Sequence, residues 1–206
     1  MLLGALALQG CLGSLLDSDA PGPDTCRLGG GVAVPEAAGT ATTALGLTVA
    51  RPLAAVALDT DRIAIVPAAS RFDYYNGVRW AAPAPQMLQE SLVTALQASG
   101  RFAGVFAAPS GVPAELTLDV ELRHFEAVAV GDAAPAVVIQ VQASLVDARR
   151  AQRLASFVSE ARVQSGANRR EAIIDAFERA NRAVVADVVA RIGEAAIVAE
   201  RAPVAR

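Results

Sequence analysis

From Glu115 to His124 apolar and polar residues alternate, with Leu116, Val120 and Leu122 on one side and Thr117, Asp119, Glu121 and Arg123 on the other. That period of two belongs to a half-buried antiparallel strand. Phe125 breaks the alternation, which predicts either a bulge near Arg123-His124 or the end of the strand. Ala136–Val146 repeats the pattern, with Val137, Ile139, Val141, Ala143 and Leu145 inward and Gln140, Gln142 and Ser144 outward. A paired strand over Arg153–Val163 follows the polar loop Asp147–Gln152. Earlier in the chain, Leu45–Val49, Ile63–Val66 and Ala103–Phe106 read as short strands, the second stopped by Pro67. Phe72–Trp80 is aromatic and β-prone around Asn76-Gly77, a dipeptide that predicts a hairpin turn.

Two segments switch to the helical period. Leu88, Leu92, Ala95, Leu96 and Ser99 recur at three- and four-residue steps, with Gln89, Glu90 and Gln97 on the other side. Pro83 and Pro85 suit the first turn of that helix, and Gly100 suits the position just past its end. Asn168 followed by Glu171 resembles a capping box and opens a longer helix with Ile173, Ile174, Phe177, Val184, Val185, Val188 and Ile192 on one stripe. On its polar side Asp175, Glu178 and Asp187 each stand four residues before an arginine, as on a solvated face. The pattern predicts that this helix ends at Gly193. The fold class that follows is α+β, an antiparallel sheet with two helices packed on one face.

The first part of the chain lacks such periodicity. Met1–Leu8 is apolar, too short to span a bilayer, and leads into Leu8-Gln9-Gly10-Cys11, which has the form of a lipobox with Cys11 as the acylated residue. Gln9 is larger than the residue usual there, and a positively charged leader is lacking. Gly13–Thr43 is rich in Gly, Ala, Pro, Ser, Thr and Asp, the composition of a tether, with Thr25-Cys26-Arg27-Leu28 as an exception. The expected organisation is a signal peptide over 1–10, a lipid-anchored tether over 11–44, a domain over 45–192 and a tail over 193–206.

Composition narrows the function classes. With 206 residues, a net charge of -3 and no basic tract, the chain lacks the clustered cations of a nucleic-acid footprint. Two cysteines and a single histidine, His124, do not make a zinc site. Asp59 and Asp61 read as turn-forming acids, not cation ligands, and Asp119 and Glu121 as solvated charge on one strand face. No nucleophile and base motif or phosphate loop is present, and Gly29-Gly30-Gly31 lacks the lysine of a P-loop. The expectation is a protein that is not an enzyme and needs no cofactor or metal.

What stands out instead is the crowding of Tyr74, Tyr75, Arg79 and Trp80, residue types that dominate measured hot spots. They are the candidate partner-binding residues, with packing into the core as the competing reading. The order Asp59-Thr60-Asp61-Arg62-Ile63-Ala64, Tyr74-Tyr75, Arg79-Trp80-Ala81, Pro85, Leu88 and Ser99-Gly100-Arg101-Phe102 resembles the ABC-type transport auxiliary lipoproteins, the PqiC-like group. The resemblance implies a lipoprotein on the periplasmic side of the cell envelope, held to the membrane by its lipid. It also implies as partners a Mce-family protein and ABC transporter components that move phospholipid or a similar hydrophobic substrate between membranes. Leu12, where an Asp after the cysteine would signal inner-membrane retention, favours outer-membrane anchoring. Homo-oligomerisation stays open, as does a second function class: a lipoprotein that binds a small apolar ligand itself or docks onto an unrelated envelope assembly.

Overall fold

The strand with the strict alternation, β7 (Leu116–Val128), is the spine of the sheet in the computed structural model, which describes residues 22–28, 42–68, 71–129, 131 and 133–201. On one edge β7 pairs antiparallel with β8 (Ala136–Asp147), which pairs antiparallel with β9 (Gln152–Gln164). On its other edge, β2 (Gly46–Val49), β3 (Leu53–Ala54) and β4 (Arg62–Ala68) lie in succession, all parallel to it. Beyond β4 come β5 (Arg71–Trp80), antiparallel, and then β1 (Asp24–Cys26), parallel to β5. Beyond β2 lies β6 (Gly104–Ala107). The helices are α1 (Ala84–Ala98) and α2 (Arg170–Arg201). The class is α+β, with the long pairings antiparallel as expected. The short parallel pairings arise because β2, β3 and β4 run successively along one edge of β7, and α1 makes the return between β5 and β6.

The core forms where sheet alternation and helical stripes meet. Val137, Ile139, Val141, Ala143 and Leu145 of β8 are fully buried, as are Leu88, Leu92 and Leu96 of α1 and Phe177, Val185, Val188 and Ile192 of α2. Aliphatic side chains buried to this degree contribute about 1.5–3 kcal/mol each. The opposite sheet face is polar: Gln140 donates to Glu160 at 2.5 Å and Gln142 to Ser156 at 3.0 Å. The helix ends follow their punctuation, with Pro83 as N-cap, Pro85 in the first turn and Gly100 at φ +61° just past the C-cap Ser99.

Several expectations are corrected. Asn76-Gly77 is not a hairpin turn; the antiparallel pairing of β4 with β5 already closes on Ala68 opposite Arg71, and Asn76-Gly77 sits within β5 at a bulge where Gly77 has φ +69°. A positive φ suits a bulge as well as a turn, so the dipeptide serves either. Pro67 lies inside β4, where a second register shift between Ile65 and Ala68 removes the need for its missing N–H. Gln89 is not on a solvated side: it is 7% exposed, and its amide donates to the Val49 carbonyl at 3.0 Å and the Ala108 carbonyl at 3.1 Å. Nor does Gly193 end α2, which runs on to Arg201. Glycine is required there for close approach, since a Cβ would stand 2.5 Å from Nη1 of Arg101. The bulge foreseen near Arg123-His124 is present, between Leu122 and His124. It turns His124 outward, where its ring meets Glu126 at 2.5 Å, while the other oxygen of Glu126 accepts the Phe125 N–H at 2.6 Å. A structural role for His124 fits that arrangement.

Candidate functional site

The bulge in β5 decides where the candidate residues point. Arg62 pairs with Arg79 and Ala64 with Tyr74, so five residue steps of β5 are matched by two of β4. The phase of the alternation shifts across Tyr75–Val78, and the four candidates divide two and two. Tyr74 and Arg79 share one face with Ala64 and Arg62, where Ala64 is buried and Tyr74 half-buried; Tyr75 and Trp80 turn toward the helices.

Trp80 is thereby corrected from contact residue to core residue. It is 1% exposed and meets Phe125 edge-on at 5.9 Å and Phe177 at 5.1 Å between ring centroids. Its backbone N–H donates to the Asp61 carbonyl at 2.6 Å, tying the end of β5 to the start of β4.

Tyr74 and Arg79 belong to a larger surface. The Tyr74 ring is stacked under the Arg62 guanidinium at 3.7 Å, meets Phe72 edge-on at 5.5 Å, and its hydroxyl donates to the Ala57 carbonyl at 3.0 Å. That last bond brings the loop over residues 50–61 against β5, and with it the exposed Val56, 90% accessible, beside Ala57. Phe72 is itself 42% accessible. Asp59 and Asp61, read from the sequence as turn acids, pair with Arg51 at 2.6 Å and Arg79 at 3.4 Å and frame the same surface. Asp73 also lies here, its carboxyl held below the usual range first by the Tyr74 N–H and then by Arg71. The surface thus carries Phe72 and Tyr74, with Val56 one residue from the carbonyl that Tyr74 holds, and charged residues beside them. Apolar anchors with polar groups around them are how protein contacts are built.

Sequence reasoning, which placed the surface on Phe72–Ala82, missed Val56 and Arg62. Val56 reads as an ordinary loop residue until the Tyr74 hydroxyl bond joins its segment to β5. Tyr75 faces a separate cleft against the start of α2, lined by Ile63, Asn76, Val78, Arg169 and Ile173 among others. Cys11 lies outside the described residues. Cys26, within β1, is half-buried and pairs in register with Trp80.

A model of the ABC-type transport auxiliary lipoprotein component family matches residues 30–189. The chain belongs to that family. The auxiliary lipoproteins are transport-associated components of the cell envelope, and this member's place is with them. A Xanthomonas campestris protein of the DUF330 family is 27% identical, with TM-score 0.76, covering 80% of this chain and 93% of that one. Another solved structure, from Chlamydia trachomatis, shares the fold at 11% identity and TM-score 0.55, over 75% of this chain and 98% of that one. No curated protein matches the chain. The family match begins within the stretch read as tether. Ahead of it, Asp24–Cys26 already forms a sheet strand, in the short segment singled out as an exception.

Proposed function

We propose that this auxiliary lipoprotein serves a Mce-type ABC system that moves phospholipid or a similar hydrophobic substrate between membranes, acting as a docking component and not as the lipid carrier. The observation that carries this reading is the contrast between a filled interior and an apolar outer surface. Trp80, Phe125 and Phe177 close the space between sheet and helices, with Phe125 and Phe177 at 5.2 Å. Ligand pockets are mostly apolar and run to about 300–1,000 Å³. Among the described residues, a depression of about 470 Å³ is lined by Ala50, Leu53 and Val120 but also by Arg51, Asp119, Glu121, Gln142 and Ser144, a mixed lining that suits acyl chains poorly. The cleft at Tyr75 is apolar but only about 170 Å³. Phe72, Tyr74 and Val56, with Arg62 and Arg79, face outward, and a docking surface needs such anchors. Tyr75, which faces the separate cleft, lies outside this contact.

The anchor in this proposal is an acylated Cys11, with the outer membrane as its destination because Leu12 follows it. Each buried methylene contributes about 0.8 kcal/mol, so several acyl chains hold a domain firmly where one does not. Two experiments test the reading. Cys11→Ser should move the protein from the membrane to the soluble fraction, and unchanged fractionation would remove the anchor. A photo-crosslinking amino acid at Val56 should capture the Mce-domain protein or a transporter subunit. The same group at Val158, on β9, should not. Equal capture from both positions would contradict a defined docking surface.

A further inference from the structure

The cleft between the β5 bulge and the start of α2 has a composition that the docking surface does not explain. Its floor is apolar and buried, with Ile63 at 1% exposure, Val78 at 5% and Ile173 at 2%. Its mouth is polar and exposed, formed by Asn76, Asn168, Arg169 and Arg170. Between the two, Tyr75 lines the cleft with its hydroxyl oxygen fully buried and without a hydrogen-bond partner among the described residues. A buried polar atom left without a partner costs stability and calls for a reason. Burial also pushes the Tyr75 hydroxyl above its ordinary pKa, so it stays protonated and able to donate across the physiological range. Arg170 is held in place by its ion pair with Asp24.

We propose that this cleft binds a carboxylate carried on a single aryl or branched-alkyl group. The apolar part would lie on Ile63, Val78 and Ile173, and the carboxylate would accept from the Arg169 guanidinium at the mouth and from the Tyr75 hydroxyl, which must turn out of its buried position to reach it. Size and charge both narrow the ligand. An apolar cavity of about 150 Å³ is enough for benzene, and this one measures about 170 Å³. One ring or one leucine-sized group fits; the two acyl chains of a phospholipid do not. An inorganic anion would leave the apolar floor unused, whereas an uncharged hydrocarbon would leave the hydroxyl unpaired. The guanidinium fork matches a carboxylate in geometry as well as in sign. The same chemistry is offered by the C-terminal residue of a polypeptide ending in Phe or Leu and by a free aryl-alkanoic acid.

The test uses the full chain labelled at its isoleucine methyls and titrated with 3-phenylpropionate, with the peptide Gly-Gly-Gly-Phe bearing a free carboxylate, with that peptide's amide, and with 3-phenylpropanol. At least one of the two carboxylates should shift the Ile63, Ile173 and Ile174 methyl signals saturably, with Kd of about 0.1–1 mM for ligands of this size. The amide and the alcohol should bind at least about tenfold more weakly. Tyr75→Phe and Arg169→Ala should each weaken binding about tenfold, the scale of one lost charge-assisted hydrogen bond, with little change in Tm. Binding of the peptide alone identifies a polypeptide C-terminus; binding of the free acid alone identifies a small molecule; binding of both supports the shared chemistry. No saturable shift from either carboxylate up to about 10 mM, or an alcohol that binds as tightly as the acid, would overturn the proposal. So would undiminished binding in both variants. None of these outcomes depends on a Mce partner, so the docking proposal stands or falls separately.

Discussion

Trp80→Ala should cost about 3–5 kcal/mol in urea unfolding, the range for removing a large buried aromatic side chain. In a chain of this size that corresponds to a fall in Tm of roughly 10–15 °C. The expected cost is high because the indole does three things at once. It fills the space between β5 and α2, it stands edge-on to both Phe125 and Phe177, and it ends the strand that carries the outer surface. Aromatic pairs in such arrangements add about 0.5–1.5 kcal/mol beyond the area they bury. The indole N–H has no protein partner, so its removal strands no acceptor, and the loss is one of packing. Trp80→Phe should therefore recover much of the stability. A loss below about 1 kcal/mol for the alanine variant would mean that the three rings do not hold β5 to α2.

Leu92→Ala should cost about 2–5 kcal/mol, while Glu90→Ala should change stability by no more than about 0.5. The two residues lie within one turn of α1, yet Leu92 is fully buried and Glu90 is exposed, its carboxylate accepting from the Gln86 amide at 3.1 Å. The contrast isolates the helical stripe from helix propensity, because both substitutions end in alanine. Equal and small losses from the two variants would mean that α1 does not pack on the sheet through Leu92.

Periodicity carried most of the fold. Both helical stripes and the alternation in β7 and β8 were legible because burial repeats along each of those elements, and a repeated signal survives one exception. Single residues were legible only where local chemistry admits one outcome. Asn76-Gly77 reads as a turn because the dipeptide tolerates a positive φ, but the bulge uses the same tolerance within a strand. Gln89 reads as solvated because the sequence does not show that the carbonyls of Val49 and Ala108 come to it from two loop-flanked strands. Gly193 reads as a helix end because the approach of Arg101 depends on a contact between distant parts of the chain.

The candidate site shows the same limit more sharply. The crowding of Tyr74, Tyr75, Arg79 and Trp80 directs attention to β5, but strict alternation pairs Tyr74 with Trp80 and Tyr75 with Arg79. The bulge exchanges those partners. A bulge leaves little trace in residue type beyond its glycine, so which two of the four face outward could not be read before the register was known. The contributions of Val56 and of Arg169 were hidden for a different reason. Each meets its partners only through tertiary contact, Val56 through the Tyr74 hydroxyl bond to Ala57 and Arg169 through the packing of α2 beside β5.

The measurement closest to the central claim is co-purification of the Mce-domain protein from envelope extracts with a Val56→Asp, Phe72→Asp variant, alongside Val158→Asp as a control. The substituted side chains are exposed apolar residues, 90%, 42% and 44% accessible respectively. The two valine substitutions should leave stability within about 0.5 kcal/mol, and Phe72→Asp should lose about 0.5–1.5 kcal/mol with its edge-on contact to Tyr74, so a Tm lowered by no more than about 6 °C establishes that the fold is intact. The docking account predicts that the double variant stays folded and membrane-bound but loses the Mce-domain protein, while the control retains it. A folded double variant that still brings down the Mce-domain protein as well as the unsubstituted chain does would contradict the account.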